Sequence, residues 1–258
     1  MYRILSPNRP SKNTDYSNAD GELAKAMLPK SPLGKILFEH DGYFVCKWFH
    51  YIEIYEREFQ RFRDGIITPG QSNLRPTRFL EIGVSKGGSL EVWKKYFSHG
   101  STIFGIDIDP NCSRISLEGV SIRIGSQTDR AFLLGVVAEM GGIDVVLDDG
   151  SHRGEHQTET FELLWPLLNE GGLYIVEDLH TAYWSEFGDG YKKSSSFIEF
   201  SKDLVDAMHY KYTRKRMPHR VEISKDDISR VSFFDSVVVL EKIHRAEPKK
   251  FGLGEIRN

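Results

Sequence analysis

The fold of this chain is indicated by two short apolar runs, each of which ends in acidic residues. Residues 143–152 are Ile-Asp-Val-Val-Leu-Asp-Asp-Gly-Ser-His, and residues 173–180 are Leu-Tyr-Ile-Val-Glu-Asp-Leu-His. Short β-rich apolar runs bounded by glycine are typical of buried strands in a parallel sheet. Carboxylates and histidines gathered at one sheet edge would destabilise a core, so the pattern indicates a site for a metal ion and for proton transfer.

Strands and helices alternate through the middle of the chain. Five strands are predicted, at 79–82, 102–106, 120–124, 143–147 and 173–176. Helices are predicted between or after them, around 90–97, 130–140, 155–169 and 197–208. This alternation implies right-handed crossovers and an α/β fold with a doubly wound, mostly parallel sheet. Residues 231–240 predict an antiparallel hairpin that closes the sheet edge.

The N-terminal part does not follow this alternation. Residues 1–33 are rich in Pro, Ser, Asn and Asp, which predicts an arm or loop, and residues 64–76 are expected to be a linker. Between them, apolar side chains recur at helical spacing: Trp48, Tyr51, Ile52, Tyr55 and Phe59. The stripe predicts a helix packed on the sheet. Alternatively, part of the segment lines a ligand pocket: Lys47, His50, Tyr51 and Tyr55.

Length and composition fit one large domain, or a domain with an appendage. The 258 residues are 40% apolar and carry a net charge of -3, which argues against nucleic acid as a partner. No membrane-length apolar segment or signal-peptide pattern is present, and the two cysteines favour a reducing compartment, so we expect a cytoplasmic protein without a membrane partner. We divide the chain into an N-terminal arm and helical segment (1–75), a main domain (76–245) and a tail (246–258).

A glycine-rich turn follows the first predicted strand. Its pattern is Glu81-x-Gly83-x-x-x-Gly87-Gly88, which differs from the G-x-G-x-x-G of dinucleotide-binding proteins. The glycines allow the backbone to approach a ligand, and the next helix begins with free N–H groups. In a doubly wound sheet, ligands bind at the carboxyl ends of the strands.

Two later strand ends could complete such a pocket. Asp107 ends the second strand, where one carboxylate can accept hydrogen bonds from both hydroxyls of a ribose; otherwise it caps a helix. Gly125-Ser126-Gln127 ends the third strand, where an adenine edge would be recognised, unless it is an ordinary polar loop.

The fourth and fifth strands should be neighbours, so their acidic ends should meet. Carboxylates within a few ångströms repel one another unless a proton or a cation neutralises them. An all-oxygen ligand set without cysteine favours a hard cation, Mg2+ above Ca2+ or Mn2+. The alternative is that these acids only cap helices.

Histidines near these acids are candidates for proton transfer. His152 follows Asp149 by three residues, and a histidine can accept the proton of an alcohol near neutral pH. His180 is the second candidate, as a support, a substrate contact or a structural histidine. His156 is expected to face solvent on the next helix.

Taken together, the motifs resemble a known enzyme family. EIGVSKGG (81–88), GIDID (105–109), DDGSH (148–152) and VEDLHT (176–181) are similar to class I S-adenosylmethionine-dependent methyltransferases. More narrowly, they resemble the metal-dependent sugar O-methyltransferases of macrolide and related antibiotic pathways, a group that includes proteins labelled cephalosporin hydroxylases. KWFHY (47–51) and VSFFDSVVVLEK (231–242) are also similar, so the resemblance covers roughly residues 43–242.

The resemblance implies a Rossmann-like methyltransferase sheet that binds S-adenosylmethionine and Mg2+. It implies cofactor contacts in the turns after the first four strands: Glu81, Gly83, Gly87, Asp107, Ser126, Gln127 and Asp148, the last near the methionine portion. It also implies Asp149, Glu177 and Asp178 as metal ligands and His152 as the catalytic base. Substrate contacts are expected at His180, Tyr183 and Trp184, at the start of a polar loop.

The first hypothesis is therefore a Mg2+-dependent O-methyltransferase acting on a small-molecule hydroxyl, in a natural product or a glycan. A vicinal diol on a sugar would chelate the ion, but so would a catechol-like diol. A dinucleotide-dependent oxidoreductase and a non-catalytic accessory protein on a methyltransferase fold are the other hypotheses. The resembling family assembles through N-terminal regions, which implies a homo-oligomer, either a dimer or a tetramer.

Overall fold

A seven-stranded sheet organises the part of the chain that the structure describes. The computed structural model describes residues 18–67, 74–214, 221 and 223–254, so parts of the predicted arm, linker and tail lie outside the described residues. A short antiparallel pair, β1 (Ile66–Ile67) and β2 (Leu74–Arg75), precedes the sheet. The strands of the sheet are β3 (Arg78–Ile82), β4 (Thr102–Asp107), β5 (Val120–Ile124), β6 (Ile143–Asp148), β7 (Leu168–Val176), β8 (Ile228–Phe234) and β9 (Val237–Lys242).

The strand order creates a crevice at the carboxyl ends of the central strands. The order is β5-β4-β3-β6-β7-β9-β8, in which the first five strands are parallel and β9 is antiparallel to both of its neighbours. The chain winds outward in one direction from β3 and in the other from β6, so the switch point lies between them. The predicted doubly wound sheet with a C-terminal antiparallel hairpin is confirmed.

Helices cover both faces of the sheet. They are α1 (Asn18–Met27), α2 (Pro32–Phe38), α3 (Phe49–Arg63), α4 (Gly88–Tyr96), α5 (Arg130–Met140), α6 (Gly154–Leu164) and α7 (Phe197–Met208). Side chains of α3 and α4 share one buried cluster with Val145 and Leu147 of β6. Side chains of α5, α6 and α7 share the other with Val146, because successive residues of a strand point to opposite faces.

Two sequence predictions about element limits were wrong. Residues 1–33, expected to be an arm or loop, contain α1 and the start of α2, which begins where the Ser31 hydroxyl caps the Gly34 N–H at 3.0 Å with Pro32 in the first turn. The helix predicted to reach residue 169 ends at Leu164. Pro166 has no N–H to donate to the helix, so α6 gives way to a short 3-10 turn, Trp165–Leu167. Strand β7 begins at Leu168, before the two glycines predicted to form a turn.

One acid in the apolar run of β6 has a structural role at the opposite end of the sheet. Asp144 is buried and accepts a bidentate pair from Arg75 at 2.6 and 2.7 Å. It also accepts hydrogen bonds from the Arg78 N–H and the Asn169 amide. These donors satisfy the buried carboxylate, so Asp144 joins β6 to β2, β3 and β7 and stays apart from the other acids.

Among the described residues, every helix is too short or too polar to cross a lipid bilayer.

Candidate active site

A cavity of about 1260 Å3 opens at the carboxyl ends of the parallel strands. It runs from the turns after β3, β4 and β5 to the turns after β6 and β7 and to the segment before α3. Ten of the residues predicted to form the site line it: Gly83, Asp107, Ser126, Gln127, Asp149, His152, Glu177, Asp178, His180 and Trp184. Four predicted residues are not among its described lining residues: Glu81, Gly87, Asp148 and Tyr183.

The acidic turns after β6 and β7 meet because these strands are adjacent and parallel. Asp148 pairs with Val176 in the register, and the Glu177 N–H donates to the Asp148 carbonyl at 3.0 Å. Asp149 and Glu177 therefore leave the sheet side by side. The convergence expected from strand order is present in the structure.

Two of the predicted site residues adopt left-handed backbone conformations. His152 has φ 56° and Asp178 has φ 53°, a region that residues other than glycine seldom occupy. The Thr181 hydroxyl lies 2.7 Å from the Asp178 carbonyl and 3.1 Å from the His152 carbonyl, so it joins the two turns. Strained backbone of this kind is concentrated at functional sites, where the surrounding structure holds it.

A lysine from the N-terminal segment lies between two of the acids. The Lys47 Nζ is 2.5 Å from Asp149 Oδ2 and 2.8 Å from Glu177 Oε2. Burial alone would lower the pKa of Lys47, but the carboxylates of Asp149 and Glu177 raise it well above the usual lysine value. Lys47 therefore brings a permanent positive charge into the cluster.

Two tyrosines of α3 contact the same acids. The Tyr51 hydroxyl donates to Asp178 Oδ1 at 2.8 Å, and the Tyr55 hydroxyl donates to Glu177 Oε1. Burial raises the pKa of Glu177, an effect that the Lys47 ammonium and the Tyr55 hydroxyl oppose. Both interpretations of the aromatic stripe are thus present in part, since α3 packs on the sheet while Lys47 and Tyr51 line the cavity.

His152 faces the acids from the other side. Its Nε2 lies 3.9 Å from Asp149 Oδ1 and 3.8 Å from Asp178 Oδ2, beyond hydrogen-bond distance. Its Nδ1 is buried and has no hydrogen-bond partner among the described residues. The Nε2 atom of the imidazole is thus directed at the acidic cluster, and Nδ1 is available for one further hydrogen bond.

The acidic cluster fits a divalent cation. One potential ligand atom from each of Asp149, His152 and Asp178 lies within 4.8 Å of the others. The carboxylate oxygens of the cluster are the ligands that Mg2+ prefers. Glu177, the third ligand implied by the resemblance, has both oxygens engaged by Tyr55 and Lys47, although each oxygen keeps a second lone pair.

The other end of the cavity surrounds Asp107. Its Oδ2 accepts from the N–H groups of Val84 and Ser85 at 2.9 and 3.0 Å, and its Oδ1 accepts from the Asp109 N–H at 2.8 Å. These bonds use three of the roughly four acceptor positions of a carboxylate. Asp107 thus orders the glycine-rich turn, and a bound ligand would donate to the same carboxylate as the N–H groups of that turn.

Close packing explains the glycine at the start of this turn. Gly83 has φ 98°, and a Cβ atom there would lie 2.1 Å from the Asp149 carbonyl oxygen. A side chain at position 83 would therefore push the acidic turn away from the strand. Gly83 joins the glycine-rich and acidic halves of the cavity.

Gln127 and Asp148 form a buried support below the cavity. The Gln127 amide donates towards Asp148 Oδ1 at 3.3 Å, and its carbonyl accepts from the Ser151 N–H at 2.8 Å. The Tyr174 hydroxyl also donates to Asp148, and burial raises the pKa of Asp148 to about 7. These contacts hold the turn between Asp148 and His152 in place.

The three other predicted residues outside the cavity lining have structural partners nearby. Glu81 is fully buried and accepts from the Ser89 hydroxyl at 2.8 Å and the Trp93 indole at 3.1 Å. Gly87 is the N-cap of α4, with φ 83°. Tyr183 is half exposed and stacks with Tyr191.

Aromatic side chains surround the mouth of the cavity near the acids. His180 lies between Trp48, at 6.0 Å between ring centroids, and Trp184, at 4.8 Å. Its Nδ1 is 2.6 Å from the Ser236 hydroxyl, and burial lowers the pKa of His180, which favours the neutral ring. His156 also lines the cavity, so the prediction that it faces solvent was wrong; its Nδ1 lies 3.0 Å from the Ser151 hydroxyl on the acidic turn.

Replacing Lys47 with methionine should destabilise the fold. The substitution leaves Asp149 and Glu177 without their cation, and removing one partner of a buried ion pair costs about 3 kcal/mol. Urea unfolding in the presence of EDTA measures the loss, because a divalent cation could otherwise replace the ammonium. The matched control is Lys202→Met, which removes an exposed pair with Glu199 and should change stability little. Equal stability of Lys47→Met and wild type would contradict this account.

Glu81 should make stability depend on pH. Burial raises its pKa from 4.5 to about 7, so between these values the folded state binds more protons than the unfolded state. Stability conferred at low pH is then lost as the pH rises through this window. Relative to Glu81→Gln, the wild-type free energy of unfolding should fall by about 3 kcal/mol across it. Denaturant titrations of both proteins measure the difference, and a constant difference would show that Glu81 is ionised throughout.

Comparison with known proteins gives the domain a family. Residues 80–179 match the methyltransferase domain family. The chain is 34% identical, over 80% of its length and 53% of the relative, to the 8-demethyl-8-alpha-L-rhamnosyl tetracenomycin-C 2'-O-methyltransferase of Streptomyces olivaceus. It is 32% identical, over 90% of its length and 59% of the relative, to the 8-demethyl-8-(2-methoxy-alpha-L-rhamnosyl)-tetracenomycin-C 3'-O-methyltransferase of the same organism. The chain thus spans little more than half the length of these relatives.

A solved methyltransferase structure is also similar to this chain. The MycE methyltransferase of the mycinamycin biosynthetic pathway, in complex with Mg and SAH, has a TM-score of 0.69 and 29% identity. The match covers 86% of this chain and 58% of that one. The chain therefore contains a methyltransferase domain, and this domain is similar to those of sugar O-methyltransferases from natural-product pathways.

Proposed function

We propose that this protein is a Mg2+-dependent O-methyltransferase that moves a methyl group from S-adenosylmethionine to a sugar hydroxyl of a natural product or glycan. The observation that carries the proposal is the meeting of Asp149, Glu177, Asp178 and His152 in one cavity with the glycine-rich turn. The relatives act on rhamnosyl tetracenomycins, which favours a sugar diol over the catechol-like diol that chelation alone would also permit.

In this proposal the cofactor occupies the end of the cavity formed by the turns after β3, β4 and β5. Asp107 would accept a ribose hydroxyl at its remaining acceptor position. Ser126 and Gln127 line the wall where the adenine would lie. Cofactor binding would be supported indirectly by Asp148, Glu81 and Gly87, because their contacts hold the turns around that end of the cavity.

The metal would be held by Asp149, Glu177 and Asp178. These side chains come from two adjacent strand ends, and all of them offer oxygen. When bound, Mg2+ would lower the pKa of a coordinated acceptor hydroxyl and offset the charge that develops on its oxygen. The acidic side chains and Lys47 would together nearly balance the charge of the ion.

His152 would accept the proton of the acceptor hydroxyl at Nε2. The geometry supports this role because Nε2 points at the cluster but is too far from Asp149 and Asp178 for a hydrogen bond. A hydroxyl oriented by the cluster would therefore come within reach of the imidazole. Holding the hydroxyl and the methyl donor in line would supply much of the remaining rate enhancement.

The acceptor would enter past the aromatic side chains of Trp48, His180 and Trp184. His180 and Trp184 line the cavity and would contact the sugar or its aglycone, while Tyr183 would act only at the outer edge. The segment before the main domain would contribute to acceptor binding through Trp48, which also lines the cavity. We further propose that the protein is cytoplasmic and that residues 1–75 support a homo-oligomer.

The proposal is tested by methyl transfer from labelled S-adenosylmethionine to a panel of rhamnosides and other vicinal diol glycosides. Protein stripped with EDTA should be inactive, and Mg2+ should restore turnover, because the acceptor and the carboxylates need the cation to approach one another. Full activity in EDTA would contradict the metal requirement. Transfer to catechols but not to glycosides would contradict the acceptor class.

His152→Ala is the most informative variant in that assay. Loss of a general base should lower turnover about 100-fold or more. Calorimetry should still show binding of S-adenosylhomocysteine and Mg2+. His209→Ala is the control, since that histidine is exposed and bonds only a helix carbonyl among the described contacts. Normal turnover by His152→Ala would make the base assignment wrong, and lost Mg2+ binding would make His152 a ligand instead.

A further inference from the structure

Two buried tyrosines on one face of α3 direct their hydroxyls at the acidic cluster. Tyr51 and Tyr55 are four residues apart, so they lie one above the other on the helix. Tyr51 is 1% exposed and Tyr55 is fully buried. A buried hydroxyl needs a hydrogen-bond partner, and each of these finds it in a different carboxylate of the site. Tyr51 bonds Asp178, and Tyr55 bonds Glu177.

These contacts hold one side of the cluster and leave the other side open. Tyr51 engages Asp178 Oδ1, whereas Asp178 Oδ2 faces His152 across the cavity. In the same way Lys47 engages Asp149 Oδ2, whereas Asp149 Oδ1 faces His152. The N-terminal segment thus holds one oxygen each of Asp149 and Asp178, and the second oxygen of each faces His152 Nε2.

We propose that Tyr51 and Tyr55 are positioning residues for the divalent cation. This inference rests on the proposed function of Asp178 and Glu177 as metal ligands. Tyr51 would position Asp178, and Tyr55 would position Glu177. A carboxylate held in its ligating orientation loses less conformational freedom when the ion binds, so affinity rises. A helix outside the matched methyltransferase domain (80–179) therefore sets the metal affinity of that domain.

The packing of the two rings allows their hydroxyls to be tested separately. Tyr55 stacks on Phe59 at 5.5 Å between ring centroids and meets Trp93 edge-on at 5.2 Å. Tyr51 meets Tyr55 edge-on at 6.1 Å. Phenylalanine preserves these ring contacts. Tyr55→Phe therefore removes the bond to Glu177, and Tyr51→Phe removes the bond to Asp178 together with a hydroxyl contact to Ser236.

The chain offers a matched control in Tyr96. This tyrosine is also buried, at 3% exposure, and its hydroxyl donates to a carboxylate, that of Glu56, at 3.2 Å. Glu56 lies outside the acidic cluster, so Tyr96→Phe removes a hydroxyl of the same kind without touching a proposed ligand.

The experiment is calorimetric titration of the 258-residue chain with Mg2+, after stripping with EDTA and dialysis. Each of Tyr51→Phe and Tyr55→Phe should raise the Mg2+ Kd about tenfold or more. Tyr96→Phe should bind like the wild type. Circular dichroism and a melting curve without metal confirm that each variant is folded, and either single variant is sufficient for the test.

The outcomes separate this inference from the proposed function. If the wild type binds Mg2+ and the tyrosine variants bind it with the same Kd, the positioning role alone is overturned. An equal rise of the Kd in Tyr96→Phe would also overturn it, because the effect would then come from general packing. Wild-type protein that binds no Mg2+ would overturn both the metal site and its positioning residues.

Discussion

Repulsion among the acids at the ends of β6 and β7 is the constraint on which the rest of the site depends. Asp149 and Asp178 bring ligand atoms within 4.8 Å of each other, and Glu177 adds a third carboxylate. Two like charges this close repel by about 3 kcal/mol even at an effective dielectric constant near 20. The fold must supply positive charge or hydrogen-bond donors to hold such a cluster. It does so through Lys47, Tyr51 and Tyr55, all of which precede the matched residues 80–179.

The same constraint explains why the N-terminal segment belongs to the site. Without it, the acidic turns would have backbone support from Thr181 and Gln127 but no cation. With Lys47 in place, the cluster keeps one face bound by donors and one face open to the cavity. The end of the cavity around Asp107 is organised differently, since Asp107 accepts hydrogen bonds from backbone N–H groups of the glycine-rich turn. Gly83 brings the two ends into contact.

Local patterns in the sequence were sufficient to predict the sheet and the meeting of the acids. Apolar runs and glycine turns predicted the five parallel strands and the hairpin, and neighbouring parallel strands must bring Asp149 beside Glu177. The helices α1 and α2 were missed because their apolar periodicity is weak and a cap at Ser31, rather than a pattern, starts the second. The contact of Lys47 with Asp149 spans 102 positions, so no spacing rule could predict it. The KWFHY motif was the one available signal. His156 was misjudged because its Nδ1 contacts Ser151 on the turn before α6, so the start of this helix lines the cavity.

The proposed metal site consists of Asp149, Glu177 and Asp178. The most direct measurement is an anomalous difference map from a crystal soaked with Mn2+, which substitutes for Mg2+ at oxygen-rich sites. We predict a single strong peak between the three carboxylates, on the side facing His152 Nε2. A map with no peak there, or with a peak held by other residues, would contradict the account.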